Sequence, residues 1–485
     1  MNRQFQKPVK AYFKKKGLPE APALTFADVV IRDNFSEIAS RSDIRNLETK
    51  VAKNIALRIP IVSANMDTVT DAGMAITLAR LGGLGFIHQF FSLEERVEEV
   101  KKVKRADNAL IEKPVVVLDH ATLGDAKEQM RKYSISSILV IDQLNHLKGI
   151  LTSRDYRFIT DDSVPVTKVM KPMPLITAAP GVTQSEAEAT FEKHKLEKLP
   201  IIDENGIVMG LMSAKDLIKT RAFPNAARDE NGNLLVGAAL RLNAEYLQEA
   251  ELLLAAGSDV LLLDTARANS KRVRDAVKAV KCRFPEVQLV VGNIDTPEAA
   301  AMLIAAGADG LKVGIGPGSA CKTRDATGVG IPQVTAIVSC AAIAKSSDVP
   351  IIADGGIKCG ADLSKALVAG AQSVMVGSLF AGTDESPGEV FRDANQQWKM
   401  YRGSASAEHQ FDRIESGSLD AMRAPEGVPR RVAYTGPVKG VVDELLGGLR
   451  SSMSYVGAHD VNEFEKFGTF VWQAVSGYEE GKPKG

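Results

Sequence analysis

The chain has 485 residues, 45% of them hydrophobic and 25% charged, so it is long enough for more than one domain and apolar enough for a large core. Lys plus Arg and Asp plus Glu number 60 each, and this balance leaves no general positive charge to attract nucleic acid or an anionic membrane. We therefore expect neither of these as a partner.

The cysteines and the apolar runs indicate the compartment. No apolar run approaches the roughly 20 residues that span a bilayer, and the basic N-terminal segment lacks the apolar stretch of a secretory signal. The four cysteines have no CxxC spacing and are too sparse for a disulfide framework or a zinc ribbon: Cys282, Cys321, Cys340 and Cys359. These patterns predict a cytoplasmic protein with free thiols.

Two short apolar runs near the N-terminus have the composition of buried strands. They cover residues 59–63 and 84–88, and a helical stretch over residues 74–81 separates them. Runs that are apolar on both faces are typical of parallel strands covered by helices. We expect residues 1–107 to form the first part of a barrel of parallel strands.

An internal repeat follows, with an offset of 61 residues between its copies. Three residues of the first copy map onto the second without a gap: Asp142 onto Asp203, Gly149 onto Gly210, and Asp155 onto Asp216. Each copy reads as a helix, an apolar strand, a polar hairpin, a second apolar strand and a helix that opens at a polar turn.

The repeat resembles a tandem pair of CBS modules over residues 108–221, a fold that commonly binds adenine or guanine nucleotides between its two copies. The resemblance implies that Asp155 and Asp216 lie where a ribose hydroxyl is held. Two alternatives stay open: the pair is only a structural or assembly unit, or each carboxylate simply caps a helix.

Beyond the repeat, apolar runs again alternate with Ala- and Leu-rich helical stretches. Five such runs end in small or polar residues: 260–264, 289–293, 311–314, 351–355 and 374–377. Seven runs, with an eighth expected, favour a (β/α)8 TIM barrel over an open Rossmann sheet, with the repeat inserted and residues 222–485 as the remainder of the barrel. The active site of such a barrel lies at the carboxyl ends of its strands.

The densest candidate for chemistry is the glycine-rich loop over residues 314–324, directly after a predicted strand. Its glycines allow backbone groups to converge on a phosphate or a cation. Cys321 lies in this loop, and we expect the adjacent Lys322 and Arg324 to favour its thiolate, which makes it a candidate nucleophile. The other three cysteines have no such setting, and we interpret them as structural.

Several motifs now identify a family resemblance. Seven motifs resemble those of the IMP dehydrogenase and GMP reductase family: GIGPGSACKTR, TGVGIPQ, SANMDTVT, ADGGI, VGSLFAGTDESPGE, YRG and PEGV. The resemblance extends from residue 24 to about residue 481. The resemblance implies NAD-dependent oxidation of IMP to XMP through a covalent Cys321 thioimidate. The alternatives are NADPH-dependent reductive deamination of GMP to IMP, and a catalytically silent regulator that binds nucleotides.

The resemblance also implies the catalytic roles. Cys321 attacks purine C2, Thr323 assists proton transfer, Arg413 activates the hydrolytic water, and Glu426 pairs with purine N1. Glu426 has an alternative interpretation as a solvated loop charge.

The same resemblance implies how the purine monophosphate is bound. Asp354 accepts the ribose hydroxyls, although it also suits a helix cap. The remaining substrate residues lie in loops around the 5′-phosphate: Ser319, Gly356, Gly377, Ser378, Tyr401 and Gly403. Tyr401 has an alternative interpretation as a packing aromatic.

Two cofactors follow from the resemblance. NAD is expected at Asp264, Asn293, Gly314 and Gly316, with a helix cap as the alternative role of Asp264. A potassium ion is expected in a carbonyl cage that two subunits share, which implies a homotetramer and allows an octamer. The cage residues are Gly316, Gly318 and Cys321 of one subunit and Glu480, Gly481 and Lys482 of its neighbour.

Some positions depart from the dehydrogenase pattern. Arg413 is followed by Ile414, where dehydrogenases have tyrosine, and the segment over residues 401–426 is short. Asn65 and the sequence over residues 264–268 are also unlike most dehydrogenases. The repeat, the junction over residues 223–227 and the YRG and PEGV motifs are of dehydrogenase type, which favours the dehydrogenase.

Overall fold

The structure is a computed structural model that describes residues 23–107, 110–111, 114–133, 135–393, 396–403 and 427–481. The chain divides into two compact units. The larger comprises residues 1–103, Asn225–Asp229 and Leu235–Gly485, and the smaller comprises Lys104–Pro224 and Glu230–Leu234. None of the described helices is both long and apolar enough to cross a membrane.

A closed barrel of eight parallel strands forms the larger unit, as the sequence predicts. Its strands are β1 (Ile61–Ser63), β2 (Leu84–Ile87), β3 (Val236–Leu240), β4 (Val260–Asp264), β5 (Gln288–Ile294), β6 (Gly310–Val313), β7 (Ile351–Asp354) and β8 (Ser373–Val376). They are hydrogen-bonded in the order β3-β4-β5-β6-β7-β8-β1-β2, and β3 closes the ring by pairing with β2.

The eighth strand, β3, is the one that the sequence does not reveal. Its sequence is Val-Gly-Ala-Ala-Leu, in which small residues replace the β-branched residues that mark a strand. All five residues are buried nonetheless, because neighbouring strands and helices cover both faces. The tertiary structure therefore overrides a weak local preference.

One helix follows each barrel strand and covers the outside of the barrel. The eight are α1 (Ala72–Arg80), α2 (Leu93–Arg105), α3 (Tyr246–Ala255), α4 (Lys271–Arg283), α5 (Pro297–Ala306), α6 (Gln333–Ala344), α7 (Gly360–Val368) and α8 (Val438–Val456). Helix α1 begins two residues before the predicted start because the Asp71 carboxylate caps it, accepting from the N–H groups of Gly73 and Met74.

Shorter elements complete the larger unit. A three-stranded antiparallel sheet consists of Phe391–Arg392, Gln397–Tyr401 and Arg430–Ala433. Two antiparallel pairs join Val29–Ile31 to Phe470–Trp472 and Thr49–Ala52 to Ile55–Leu57. The short helices are Phe26–Asp28, Arg41–Asp43, Thr323–Thr327, Lys345–Ser347, Ser378–Ala381, Val461–Phe467 and Val475–Glu480.

The smaller unit contains the repeat. Its strands are Leu110–Ile111, Val116–Leu118, Ser137–Ile141, Leu147–Thr152, Lys171–Pro172, Lys198–Ile202 and Val208–Ser213. Its helices are Leu123–Lys132, Val166–Lys168, Gln184–His194 and Ala214–Ala222. Ser137–Ile141 with Leu147–Thr152, and Lys198–Ile202 with Val208–Ser213, form the two expected hairpins.

Equivalent side chains make equivalent hydrogen bonds in the two hairpins. The Asp142 carboxylate accepts from the N–H groups of Leu144 and His146. Its counterpart Asp203 accepts from Asn205 and Ile207, which lie at the same offset. The repeat in the sequence is therefore a repeat of local structure.

The copies differ after their second strand. The second copy continues into the helix Ala214–Ala222, whereas the first turns without forming a helix, so the predicted helix is wrong for the first copy. There the Asp155 carboxylate accepts from the N–H and hydroxyl of Thr152 and closes a turn. Asp216 lies within the helix of the second copy, and its side chain is outside the described part of the structure.

Candidate active site

A buried lysine joins two carboxylates at the carboxyl ends of the barrel strands. Asp264 ends β4 and Asp354 ends β7, and Lys312 of β6 lies between them. The Lys312 Nζ atom is 3.0 Å from Asp264 Oδ1 and 2.6 Å from Asp354 Oδ2. The lysine side chain is only 3% exposed, so both ion pairs lie largely out of water.

Burial and charge act in opposite directions on this lysine. Burial by itself lowers the pKa of Lys312, but the carboxylates of Asp264 and Asp354 raise it by more, and the pKa ends above its ordinary value of 10.5. Lys312 is therefore a permanent cation that holds the two carboxylates in fixed positions.

Two asparagines complete this charged cluster. Asn65 donates from Nδ2 to Asp264 Oδ2 at 2.8 Å, and Asn293 donates from Nδ2 to Asp354 Oδ2 at 2.9 Å. Asn293 also donates to the Gly314 carbonyl at 2.6 Å. These partners replace the helix caps that the sequence allowed for Asp264 and Asp354. Among the described residues, Asn293 Oδ1 is buried without a hydrogen-bond partner, so it can receive a donor from a ligand.

The glycine-rich loop follows β6 and carries Cys321. At Gly314 the φ angle is +150°, and a Cβ atom there would lie 2.0 Å from the Asp354 carbonyl oxygen, so only glycine fits. The exposed Cys321 Sγ lies 3.2 Å from the Thr323 hydroxyl. The loop thus presents a thiol with a hydroxyl beside it at the catalytic end of the barrel.

Arg324 makes contacts in the loop that the sequence does not reveal. Its guanidinium donates to the carbonyls of Ile315 and Ile331, and its side chain packs against Gly316. The guanidinium thereby closes the base of the loop, and the influence of its charge on the Cys321 thiolate stays a prediction.

The other cysteines also need a correction. Cys340 is buried, and burial raises the pKa of its thiol to about 12, which suits a packing role. Cys282 and Cys359 are exposed, so the structure does not support the interpretation that they are structural.

Tyr401 lies beside a cavity next to the Cys321 loop. The cavity has a volume of about 460 Å³ and is lined by Ser319, Ser378, Tyr401, Arg430, Arg431 and Val432. Gly377 lies beside the Tyr401 hydroxyl, Gly356 lies against Pro317 and Phe26, and Gly403 lies beside the Ala320 carbonyl. Six of the predicted phosphate and substrate residues thus lie in or near the loop.

Burial, then the charge of Asp354, raises the pKa of Tyr401 to about 12, although a hydrogen bond with Ser319 lowers it. Because the unfolded phenol ionises near 10, the folded state should lose stability between about pH 10 and pH 12. At pH 11 this effect should lower the unfolding free energy of the wild-type protein by about 1 kcal/mol, and Tyr401→Phe should not show that decrease. Urea unfolding of both proteins at several alkaline pH values tests this, and identical pH profiles would contradict it.

Several predicted residues lie elsewhere or outside the described part. Arg413, Glu426 and Lys482 fall outside it. Of the predicted potassium ligands, Glu480 and Gly481 lie at the exposed end of the helix Val475–Glu480. Gly316 and Gly318 lie in the Cys321 loop. No group of three His, Cys, Asp or Glu side chains that could hold a metal ion occurs within the described ranges.

Sequence reasoning missed Lys312 and Arg430. Lys312 left one signal, a single charged residue inside the apolar run Gly-Leu-Lys-Val of β6. A lysine in a strand buried on both faces must be paired, and strand-end carboxylates are its available partners. Arg430 left no signal, because its position beside the cavity depends on its pairing with Tyr401 across a sheet.

The fold and the site define a (β/α)8-barrel enzyme whose candidate nucleophile is a loop cysteine. Residues 23–484 match the IMP dehydrogenase / GMP reductase domain family. Inosine-5′-monophosphate dehydrogenase from Aquifex aeolicus (strain VF5) is 46% identical over 463 residues, which cover 94% of each chain. The chain belongs to the IMP dehydrogenase / GMP reductase family.

Further relatives extend this comparison. The inosine-5′-monophosphate dehydrogenase of Nitrosopumilus maritimus (strain SCM1) is 42% identical and covers 95% of this chain and 98% of its own. Among solved structures, GMP reductase from Trypanosoma brucei in complex with guanosine 5′-monophosphate superposes with a TM-score of 0.89. It is 38% identical, and the match covers 97% of this chain and 99% of that chain.

Proposed function

We propose that the protein is an IMP dehydrogenase, which oxidises IMP to XMP with NAD. The observation that carries this proposal is the 42–46% identity to curated IMP dehydrogenases over 94–97% of the chain. The match includes the barrel and the inserted repeat together.

The chemistry requires an electrophilic carbon within reach of Cys321. The thiolate adds to C2 of IMP, a hydride leaves C2, and the sulfur–carbon bond remains as a thioimidate. A bound NAD would supply the acceptor for that hydride. Water then replaces the sulfur, which yields XMP and the free thiol. Thr323, whose hydroxyl lies 3.2 Å from the sulfur, is proposed to move a proton there, Arg413 to activate the water and Glu426 to pair with N1.

Substrate binding is proposed to use both charge and hydroxyl groups. Asp354, held by Lys312 and Asn293, would accept the ribose hydroxyls. The 5′-phosphate would occupy the cavity near the tyrosine and receive hydrogen bonds from a set of small or hydroxyl-bearing residues: Ser319, Gly356, Gly377, Ser378, Tyr401 and Gly403.

The residues that are present fit a dinucleotide, and a potassium ion is proposed beside it. Asp264 offers a carboxylate for a ribose hydroxyl, and Asn293 Oδ1 is a buried acceptor without a partner among the described residues. Gly314 and Gly316 would line the same space. Carbonyls of Gly316, Gly318 and Cys321 would bind potassium with Glu480, Gly481 and Lys482 of a neighbouring subunit in a homotetramer.

The inserted unit is proposed to be a CBS pair that binds an adenine or guanine nucleotide. The equivalent hydrogen bonds of Asp142 and Asp203 support two copies of one module. Asp155 and Asp216 are the proposed ribose contacts. The carboxylate of Asp155 already accepts two hydrogen bonds from Thr152, so a ribose there would use its remaining acceptor positions.

GMP reductase is the second candidate, because the solved structures with this overall fold include GMP reductase from Trypanosoma brucei. The short segment over residues 401–426 also favours it. A reductase would attack C2 of GMP with Cys321, release ammonia and accept a hydride from NADPH.

An assay with two substrate pairs tests the proposed function. The purified chain should reduce NAD with IMP and should fail to oxidise NADPH with GMP, as followed by absorbance of the reduced nicotinamide. Turnover of GMP and NADPH alone would make the protein a reductase, and binding without turnover of either pair would make it a silent regulator.

A further inference from the structure

Arg430 faces the cavity that the tyrosine lines. It belongs to the strand Arg430–Ala433, which pairs antiparallel with Gln397–Tyr401, and its direct partner across the ladder is Tyr401. Directly opposed residues of an antiparallel pair project from the same face, with Cβ atoms about 5 Å apart. The guanidinium and the phenol are therefore neighbours at one cavity.

A second contact fixes the arginine against the catalytic loop. Arg430 Nη1 donates to the Ser319 carbonyl at 2.9 Å, only two residues before Cys321. This bond uses one of the five N–H groups of the guanidinium, whose planar fork suits phosphate oxygens. The strand and the loop are thereby joined at the rim of the cavity.

The cavity has the composition of an anion site. Its described lining supplies three hydroxyl groups, two guanidinium groups and one apolar side chain, and no carboxylate is among these described residues. Hydroxyl groups alone can bind either a neutral or an anionic group, whereas two guanidinium groups favour an anion. The chemistry of the lining matches a phosphate monoester, which carries close to two negative charges at neutral pH.

We propose that Arg430 binds the 5′-phosphate of the purine nucleotide and that it selects the monophosphate over the free nucleoside. This inference rests on the proposed function, since it places the phosphate in the cavity that Ser319, Ser378 and Tyr401 line. The bond to Ser319 also lets Arg430 couple phosphate binding to the position of the Cys321 loop.

The test compares binding of IMP and inosine to the full-length protein by calorimetry, without a dinucleotide. Arg430→Gln should weaken IMP binding roughly ten- to hundredfold, because a hydrogen bond between charged groups is lost, and should leave inosine binding within about twofold. Arg430→Lys should give an intermediate affinity for IMP, since it keeps the charge and loses the fork.

Arg392→Gln is the matched control, because Arg392 is an exposed arginine of the same three-stranded sheet that does not line the cavity. It should leave the affinities for IMP and inosine unchanged. Equal weakening of IMP and inosine by Arg430→Gln would indicate a structural role and overturn the proposal, as would an unchanged affinity for IMP.

Parallel titrations with GMP and guanosine separate this inference from the proposed function. If the wild-type protein prefers monophosphates to nucleosides and Arg430→Gln removes that preference, the inference stands even when IMP is not turned over. If the wild-type protein shows no preference for either monophosphate, the phosphate cavity and the role of Arg430 are both refuted.

Discussion

Cys321→Ala should abolish turnover, by at least about a thousandfold, while binding of IMP persists. The variant keeps the loop, the cavity and the charged cluster, but it has no sulfur to add to C2. Because hydride leaves only after that addition, no alternative residue can supply the step. Initial rates and calorimetric IMP binding, measured on the same preparation, test both parts of the expectation.

Cys359→Ala is the control for this variant. Cys359 is also an exposed thiol, yet it lies at the start of α7, before Gly360–Val368, and not in the glycine-rich loop. Its variant should retain wild-type rates, and alkylation of Cys359 should be harmless. Retained turnover by Cys321→Ala, or equal losses in the two variants, would show that the thiol at position 321 is not the nucleophile.

The barrel could be predicted because its signal is repeated along the chain. Seven apolar runs coincide with β1, β2 and β4–β8 within two residues at each end. In contrast, β3 has no β-branched residue except Val236, and only the closure of the barrel requires it. The repeated pattern therefore indicated the barrel even though the local sequence of β3 does not indicate a strand.

Residues of the candidate site could be predicted where the residue type and its position in the chain are enough to indicate a role. Cys321 follows a strand within a glycine-rich loop, and Asp264 and Asp354 end strands that converge in a barrel. Arg324 shows where such reasoning stops, because the direction of its guanidinium depends on the carbonyls of Ile315 and Ile331. Proximity along the chain to Cys321 does not reveal these contacts.

Lys312 connects the substrate and dinucleotide sides of the proposed site. Its ammonium is paired with Asp354, the proposed ribose acceptor of IMP, and with Asp264, the proposed ribose acceptor of the dinucleotide. A single buried cation thereby sets the separation of two carboxylates on different strands. Both ligands would bind to carboxylates that are already held in position, which lowers the free-energy cost of ordering the site on binding.

Lys312→Met should destabilise the protein by about 3–5 kcal/mol, because it leaves two carboxylates in a largely buried cluster without their cation. It should also raise the KM for IMP and for the dinucleotide together, since Asp354 and Asp264 both lose their anchor. Urea unfolding followed by circular dichroism, and initial rates at varied concentrations of each ligand, give the two measurements.

The pH dependence of the loss of stability tests whether that loss comes from the charge of Lys312. The folded-state pKa of Lys312 is raised above 10.5, so its stabilising contribution is fully present below that value and is lost only at higher pH. The difference in unfolding free energy between Lys312→Met and the wild-type protein should therefore be the same at about pH 7 and about pH 9. A difference that falls steeply over this range would contradict a lysine that stays charged.

Two further variants isolate the ion pairs from loss of packing. Lys365→Met removes another buried lysine, one that donates to the Phe26 carbonyl instead of joining two carboxylates, and it should leave both KM values near those of the wild-type protein. Adding Asp264→Asn to Lys312→Met should recover part of the stability, because one uncompensated charge disappears. If the double variant is as unstable as the sum of its single variants, Lys312 and Asp264 are energetically independent, and the lysine does not hold that carboxylate in place.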